Sequence, residues 1–214
     1  MHDHFPDDVT ALLLVPTRRE RDVILAAAPE LAPVARICGF GPVAAAARAM
    51  QLITEHRPHR VLLAGIAGTY DPEAFPLGSA VRLAACAIDG IGAESPAGPM
   101  AAGLMGFPHW PGDAGSPAVG DRVDFDAAGR GLLVTVCEAS GSAESADRRR
   151  RRHAGALAED MEGFGVALAC ALAGVPLVIV RSASNHVGDR AVAGWRIGPA
   201  LEAVGALLRT IVER

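Results

Sequence analysis

At 214 residues, half of them hydrophobic, the chain suits one domain with a sizeable core and would make two domains cramped. Its formal charge of −4 gives no global attraction to nucleic acid or to an anionic membrane surface, which leaves a small molecule as the expected partner. Cys38, Cys86, Cys137 and Cys170 stand far apart, without the paired spacing of zinc sites or redox motifs. They read as reduced, mostly buried thiols of a cytoplasmic protein for which neither a metal nor a cofactor is expected.

Residues 1–10 carry acids and histidines without a basic flank, unlike a signal peptide, and read as a flexible terminus ahead of a domain over 11–214. No apolar run reaches the length of a membrane span. Ala11 to Val15 reads as a first buried strand, and Pro16-Thr17-Arg18-Arg19-Glu20 opens a helix, with Glu20 within its first turns. Val34 to Ile37 is a second strand. Cys38-Gly39-Phe40-Gly41-Pro42 then turns into an Ala-rich helix over Val43 to Glu55; its Gly-x-Gly lacks the third glycine of a dinucleotide fingerprint and reads as a packing turn.

Val61 to Ala64 is another apolar strand, followed by Gly65-Ile66-Ala67-Gly68-Thr69, small residues that let backbone approach a packed helix or a flat ligand. Ala84 to Ile88 continues the sheet. Ile91 to Gly120, rich in Gly, Pro and Ala, reads as a long loop holding Phe107, His109 and Trp110, with His109 more apt to pack than to act as an acid or base. Leu132 to Val136 is a strand and Glu138 to Ala146 a loop, while Arg148 to Arg152 reads as a solvated helix face. Val192 to Arg214 closes the chain with a helix of clear apolar period.

The most informative stretch runs from Ala158 to Arg190. It holds the acidic cluster Glu159-Asp160-Met161-Glu162-Gly163, an Ala/Leu-rich helix stopped by Gly174 and Pro176, and a strand from Leu177 that ends in Arg181, Ser184 and Asn185. Taken alone, Asp160 and Glu162 do no more than favour the positive end of the following helix. The whole pattern, however, resembles the signature of the purine nucleoside phosphorylase and nucleosidase superfamily: Met161-Glu162 before a helix, then Gly174-Val175-Pro176, then Ser184-Asn185 near Val187-Gly188-Asp189-Arg190. Within that superfamily it is most similar to the futalosine hydrolases, with Asp160 where they usually show Asn and Phe164-Gly165 in place of small alanines.

The alternation of strands and helices points to an α/β fold, and the resemblance implies a single-domain three-layer α/β/α arrangement around a mixed, largely parallel sheet. It also implies cleavage of the bond between ribose and a purine, with Glu20 activating water, Glu162 meeting the ribose hydroxyls and Asn185 meeting the base. Ala67, Gly68, Asp160, Met161 and Ser184 would be substrate contacts, and Phe164 the residue that stacks on the base. A protonated purine N7 can be accepted by Asn185, whose amide can also donate to a 6-oxo group; Asp189 is the spare acid. The substrate implied is a purine nucleoside such as futalosine, on a route to menaquinone, and relatives commonly form homodimers or larger homo-oligomers.

Three alternatives stay open in the sequence. One is a nucleosidase for methylthioadenosine, adenosylhomocysteine or aminodeoxyfutalosine, against which Asn185 argues. A second is a phosphorylase, against which Ile66 stands where a hydroxyl is expected, although Arg18 and Arg19 are suited to phosphate. The last is a nucleoside-binding protein without turnover.

Overall fold

The computed structural model describes residues 11–96 and 98–212. The expected flexible terminus over 1–10 therefore lies outside the described residues. The first strand, β1, covers Ala11–Val15, every residue buried, and Thr17 then caps helix α1 (Arg18–Ala27) by accepting from the Glu20 amide. Strand β2 is Ala35–Ile37; helix α2 (Pro42–His56) starts with proline in its first turn, after Gly41 at φ +86°, and stops on Arg57 in the left-handed region. Strand β3 runs from Arg60 to Thr69, on past the expected end at Ala64 and through the small-residue segment that follows it.

Strands β4 (Ala80–Leu83) and β5 (Ala85–Asp89) follow, then a hairpin of β6 (Gly92–Ser95) and β7 (Gly98–Ala101), and strand β8 (Arg122–Asp124). The expected 91–120 loop thus holds a two-stranded sheet and a Trp110–Val119 bridge. Strand β9 is Leu132–Val136, and helix α3 (Ala143–Arg152) begins inside the expected 138–146 loop, because Ser142 and Ser145 cap it reciprocally. Strand β10 (Ala156–Asp160) leads to helix α4 (Gly163–Ala173), which ends on left-handed Gly174; β11 (Leu177–His186) and α5 (Ile197–Val212) complete the chain.

Strand β3 organises the nine-stranded sheet. Along one edge it pairs in parallel with β11; along the other it pairs in parallel with β1 at its start and antiparallel with β10 at its end. Beyond β1 lies β2; beyond β10 lie β9, β5 and β8, and β4 borders β11. The C-terminal ends of two parallel groups, β1–β3–β11 and β10–β9–β5, therefore meet head to head.

Side chains alternate across this sheet. Leu12, Leu14, Leu63 and Ile179 pack with α2 and α4, while Leu13, Val15, Leu62 and Val180 pack with α1 and α5 on the opposite face, which gives the three layers. Each fully buried Leu or Ile adds about 1.5–3 kcal/mol of driving force. Helix α4 is buried on nearly every side, and Gly165 lets it press on the α2 backbone, since a Cβ there would collide with the Pro42 carbonyl. All four cysteines are free; Cys38, Cys86 and Cys170 are buried and Cys137 is exposed.

The arginine run is a solvated face only in part. Arg149 and Arg152 both close on the carboxylate of Asp89, joined by His153, and Arg150 donates to the Tyr70 carbonyl. Against the opposing effect of burial, hydrogen bonds from these three side chains and the arginine charge hold Asp89 well below the usual carboxylate range. Arg148 reaches only exposed Glu144.

Candidate active site

Where the two groups of strand ends meet, a cavity of about 290 Å³ opens. Residues following β1 (Pro16, Thr17, Arg19, Glu20), the end of β3 (Ile66, Ala67, Gly68), the end of β10 (Glu159 to Glu162) and the end of β11 (Ser184, Asn185) all line it. Glu20, Glu162 and Asn185, expected as catalytic, and Ala67, Gly68, Asp160, Met161 and Ser184, expected as substrate contacts, therefore lie on one wall or another of a single cavity.

Glu20 is buried, and each of its carboxylate oxygens has one donor: Oε1 accepts from the Ile66 amide at 3.2 Å and Oε2 from the Thr17 hydroxyl at 2.7 Å. Each oxygen keeps capacity for a further donor such as water. Glycine at 65 is required here, because a Cβ would collide with Arg181 Nη1 and lie 2.8 Å from Glu20 Oε1.

The two acids before α4 divide the work that the sequence leaves undecided. Asp160 meets the start of the helix: its Oδ2 accepts from the Gly163 amide at 2.8 Å and from Arg181, and its Oδ1 accepts from Thr135. Glu162 occupies the cap position but makes no cap bond. It crosses instead to the turn before α2, accepting from the Gly41 amide at 3.1 Å, and to Arg181 Nη2 at 3.3 Å. The Gly-x-Gly turn is thus more than packing, since its amide fixes a carboxylate.

Burial pushes the Glu162 carboxyl up to about 7. Arg181 opposes this, yet that one guanidinium bonds more closely to Asp160, and the charges of Asp160 and Glu20 add to the rise. Three acids, Glu20, Asp160 and Glu162, thus gather around one buried cation. Arg181 itself is fully buried at the end of an apolar strand stretch, and its Nη1 lacks an acceptor.

Ser184 and Asn185 sit at a register shift between β11 and β3, a bulge that re-aims side chains at a strand end. The Ser184 hydroxyl donates to Asn185 Oδ1 at 2.8 Å, and Asn185 Nδ2 donates to the His186 carbonyl at 2.9 Å. The free valence of the amide is thus an acceptor lone pair. Accepting a proton from a base nitrogen needs no rearrangement, whereas the expected donation to a 6-oxo group requires the second Nδ2 hydrogen to give up its long contact, 3.5 Å, with the Asp189 carbonyl.

Beside the cavity, buried Glu159 accepts from the Tyr70 hydroxyl and from both the amide and hydroxyl of Ser140, all within 2.7–2.8 Å, which pins the loop after β9. With burial around it and that carboxylate alongside, the Tyr70 hydroxyl is held far above its ordinary pKa and acts as a fixed donor.

Two expectations are corrected. Phe164 does not stack in the cavity: it is buried in the core behind, edge-on to the His109 ring at 4.9 Å. The aromatic rings on the lining are those of Phe40 and Trp195. Asp189 is exposed and absent from the lining, with Oδ1 accepting from the Ala191 amide, so it is out of place as a spare acid. His109 bonds to Asp121 and packs, as a loop histidine commonly does. The sequence reading gave no role to Arg181, Glu159 or Trp195; only Arg181 carries a signal, a charge embedded in an apolar strand.

A sequence model of the Phosphorylase superfamily matches residues 15–213. The chain belongs to this superfamily. Within the phosphorylase superfamily it is 40% identical over 174 residues to the futalosine hydrolase of Streptomyces coelicolor, spanning 78% of this chain and 72% of that one. It is thus a futalosine hydrolase homologue. Solved structures of superfamily folds agree in shape. The futalosine hydrolase of Helicobacter pylori superposes with a TM-score of 0.75 at 16% identity, covering 96% of this chain and 97% of that one. The 5'-methylthioadenosine/S-adenosylhomocysteine nucleosidase of Neisseria meningitidis, in complex with methylthio-immucillin-A, gives 0.76 at 18% identity, covering 96% and 99%. Among the described residues no helix is long and apolar enough to cross a membrane, and no group of three or more His, Cys, Asp or Glu is arranged to hold a metal ion.

Proposed function

We propose that this chain hydrolyses the N-ribosidic bond of futalosine, giving hypoxanthine and dehypoxanthine futalosine on the way to menaquinone. The observation that carries the reading is the joint presence of Glu20, Glu162 and Asn185 on one cavity wall system, each held by backbone or buried partners. The bond breaks through an oxocarbenium-like sugar, so charge must be stabilised on both sides of it. Glu20, with an open lone pair on each oxygen, holds water and takes its proton. Ionised Glu162 accepts from the ribose hydroxyls and offsets the cationic sugar. Asn185 Oδ1 accepts from protonated N7 as the base leaves, and Ser184 fixes that amide.

Ala67, Gly68 and Met161 are the flat walls against which ribose and base rest. Asp160 acts through Arg181 and the start of α4 as a positioning residue. We assign the whole of 11–214 to one such domain, working in the cytoplasm as a homodimer or larger homo-oligomer. Support for assembly comes from the apolar side chains exposed near the cavity mouth and the hairpin, among them Phe40, Val43, Leu104 and Phe107.

The deciding experiment is incubation of purified protein with futalosine in phosphate-free buffer, followed by detection of hypoxanthine. Release at full rate is expected. A requirement for phosphate would replace hydrolysis by phosphorolysis, the reading favoured by Arg19 on the cavity wall. Faster turnover of 6-amino than of 6-oxo nucleosides would move the substrate to the methylthioadenosine class.

A further inference from the structure

The charges of the cavity are unevenly satisfied. Its carboxylates have donors inside the protein: Glu20 from Thr17 and Ile66, Glu159 from Tyr70 and Ser140, Asp160 from Arg181 and Thr135, Glu162 from Gly41 and Arg181. The lining cations Arg19 and Arg190 have no carboxylate partner among the described residues. Beside them, the Arg190 guanidinium stands 5.0 Å from the centroid of the Trp195 ring, and the indole Nε1 of Trp195 is buried without an acceptor. A buried N–H left unmade destabilises the protein until something supplies the acceptor.

These groups are held together by the fold. The Arg196 amide donates to the Ser184 carbonyl at 2.8 Å, fastening the segment that carries Arg190 and Trp195 to the bulge beside Asn185. Arg19 comes from the first turn of α1, and α1 lies tightly on α5, where Gly205 admits Ala27 and the Ile24 carbonyl. Arg19, Trp195 and Ile197 thus share the α1–α5 side of the cavity.

We infer that Arg190, Trp195 and Arg19 form a subsite for a carboxylate-bearing, flat arm attached to the 5′ side of the nucleoside. The inference rests on the assignment of the base to Asn185 and the ribose to Glu162, which leaves the 5′ substituent to face this side. The indole face covers a planar arm, its N–H and the Arg190 fork hold the carboxylate, and Arg19 adds positive charge at the mouth. The acidic groups of the cavity have donors inside the protein, whereas Arg19 and Arg190 have no carboxylate partner among the described residues, so an anionic arm finds its unpaired cations here.

The test compares kcat/KM for futalosine with that for inosine, which lacks the arm, in the unaltered protein, Arg190→Gln and Trp195→Phe. The ratio is expected to fall about 10- to 100-fold in Arg190→Gln, the loss typical of a charge-assisted contact, and by a smaller factor in Trp195→Phe, which keeps the ring and removes the N–H. A ratio unchanged within twofold in both variants overturns the subsite even when hydrolysis itself is confirmed. A second measurement is independent of turnover. The chain has 2 tryptophans, so Trp110→Phe leaves Trp195 as the sole indole for a fluorescence titration with benzoate. Saturable quenching that weakens at least tenfold when Arg190→Gln is added supports the subsite, even if no nucleoside is cleaved. Absence of saturable quenching overturns it.

Discussion

The floor and the mouth of the cavity are built on opposite terms. On the floor, Arg181 is fully buried among Asp160, Glu162 and the backbone of β3, and the carboxylates there are committed to protein donors. At the mouth, Arg19 and Arg190 face solvent and Trp195 keeps an unpaired N–H. A charge that the protein must carry through folding is neutralised by the protein, whereas a charge near water can wait for its ligand. Geometry at the floor is fixed before substrate arrives, which suits groups that must act on a transition state.

Changing the floor's reactive carboxylates breaks this contrast most strongly. Glu20→Gln and Glu162→Gln are each expected to lower kcat about 10²- to 10⁴-fold while substrate still binds, with rates from hypoxanthine release and affinity from calorimetry. A loss under tenfold for both removes the floor from the chemistry.

Next in size is Arg181→Met, which leaves buried acids without their cation and should cost about 3–5 kcal/mol in denaturant unfolding. Arg190→Met at the mouth should stay within about 0.5 kcal/mol. Equal costs would erase the distinction between the two ends.

The pH dependence sharpens the comparison further. In the proposed reaction Glu162 binds ribose hydroxyls as an anion, and burial has raised it to about 7, so kcat/KM should fall about tenfold per pH unit below that value. Stability runs the other way. The folded pKa lies above the ordinary value of 4.5, so the contribution is fully present below 4.5 and is lost as pH rises through about 7. Glu162→Gln should flatten that trend by a few kcal/mol at most, read from unfolding midpoints at pH 5 and pH 8. The smallest effect belongs to the arginine run: Arg149→Ala, which leaves Asp89 short of a partner, should cost about 1–2 kcal/mol, and exposed Arg151→Ala less than about 0.5. Matching values for the two would return the whole run to solvent.

Much of the fold was legible because its signals are local. The continuous apolar run of β1, the Thr17 cap and the Gly174-Val175-Pro176 stop each depend on adjacent residues, and the structure reproduces them. Strand β10 escaped notice because Glu159 and Asp160 occupy two of its five positions, and acids are poor strand residues until buried donors such as Ser140, Tyr70 and Thr135 receive them. The site was legible through its acids and its asparagine, which stand in a recognisable order. Its other members were not. Glu159 lies 89 residues from the Tyr70 that donates to it, and Trp195 meets the cavity only because Arg196 is tied to the strand end. Phe164 misled because a ring next to Met-Glu-Gly looks adjacent in sequence, yet the first turn of a helix sends neighbouring side chains to opposite faces.

The irregular pairing of β11 at Ser184 separates what the scaffold needs from what recognition needs. Upstream of it, each residue from Leu177 to Ala183 has a fixed opposite number on β3, so substitutions there disturb the sheet. The asparagine just beyond, opposite Gly68, lines the cavity, so under the proposed function exchanging it is expected to alter the preferred nucleobase without repacking any layer. A lineage with this architecture can therefore change diet one codon at a time.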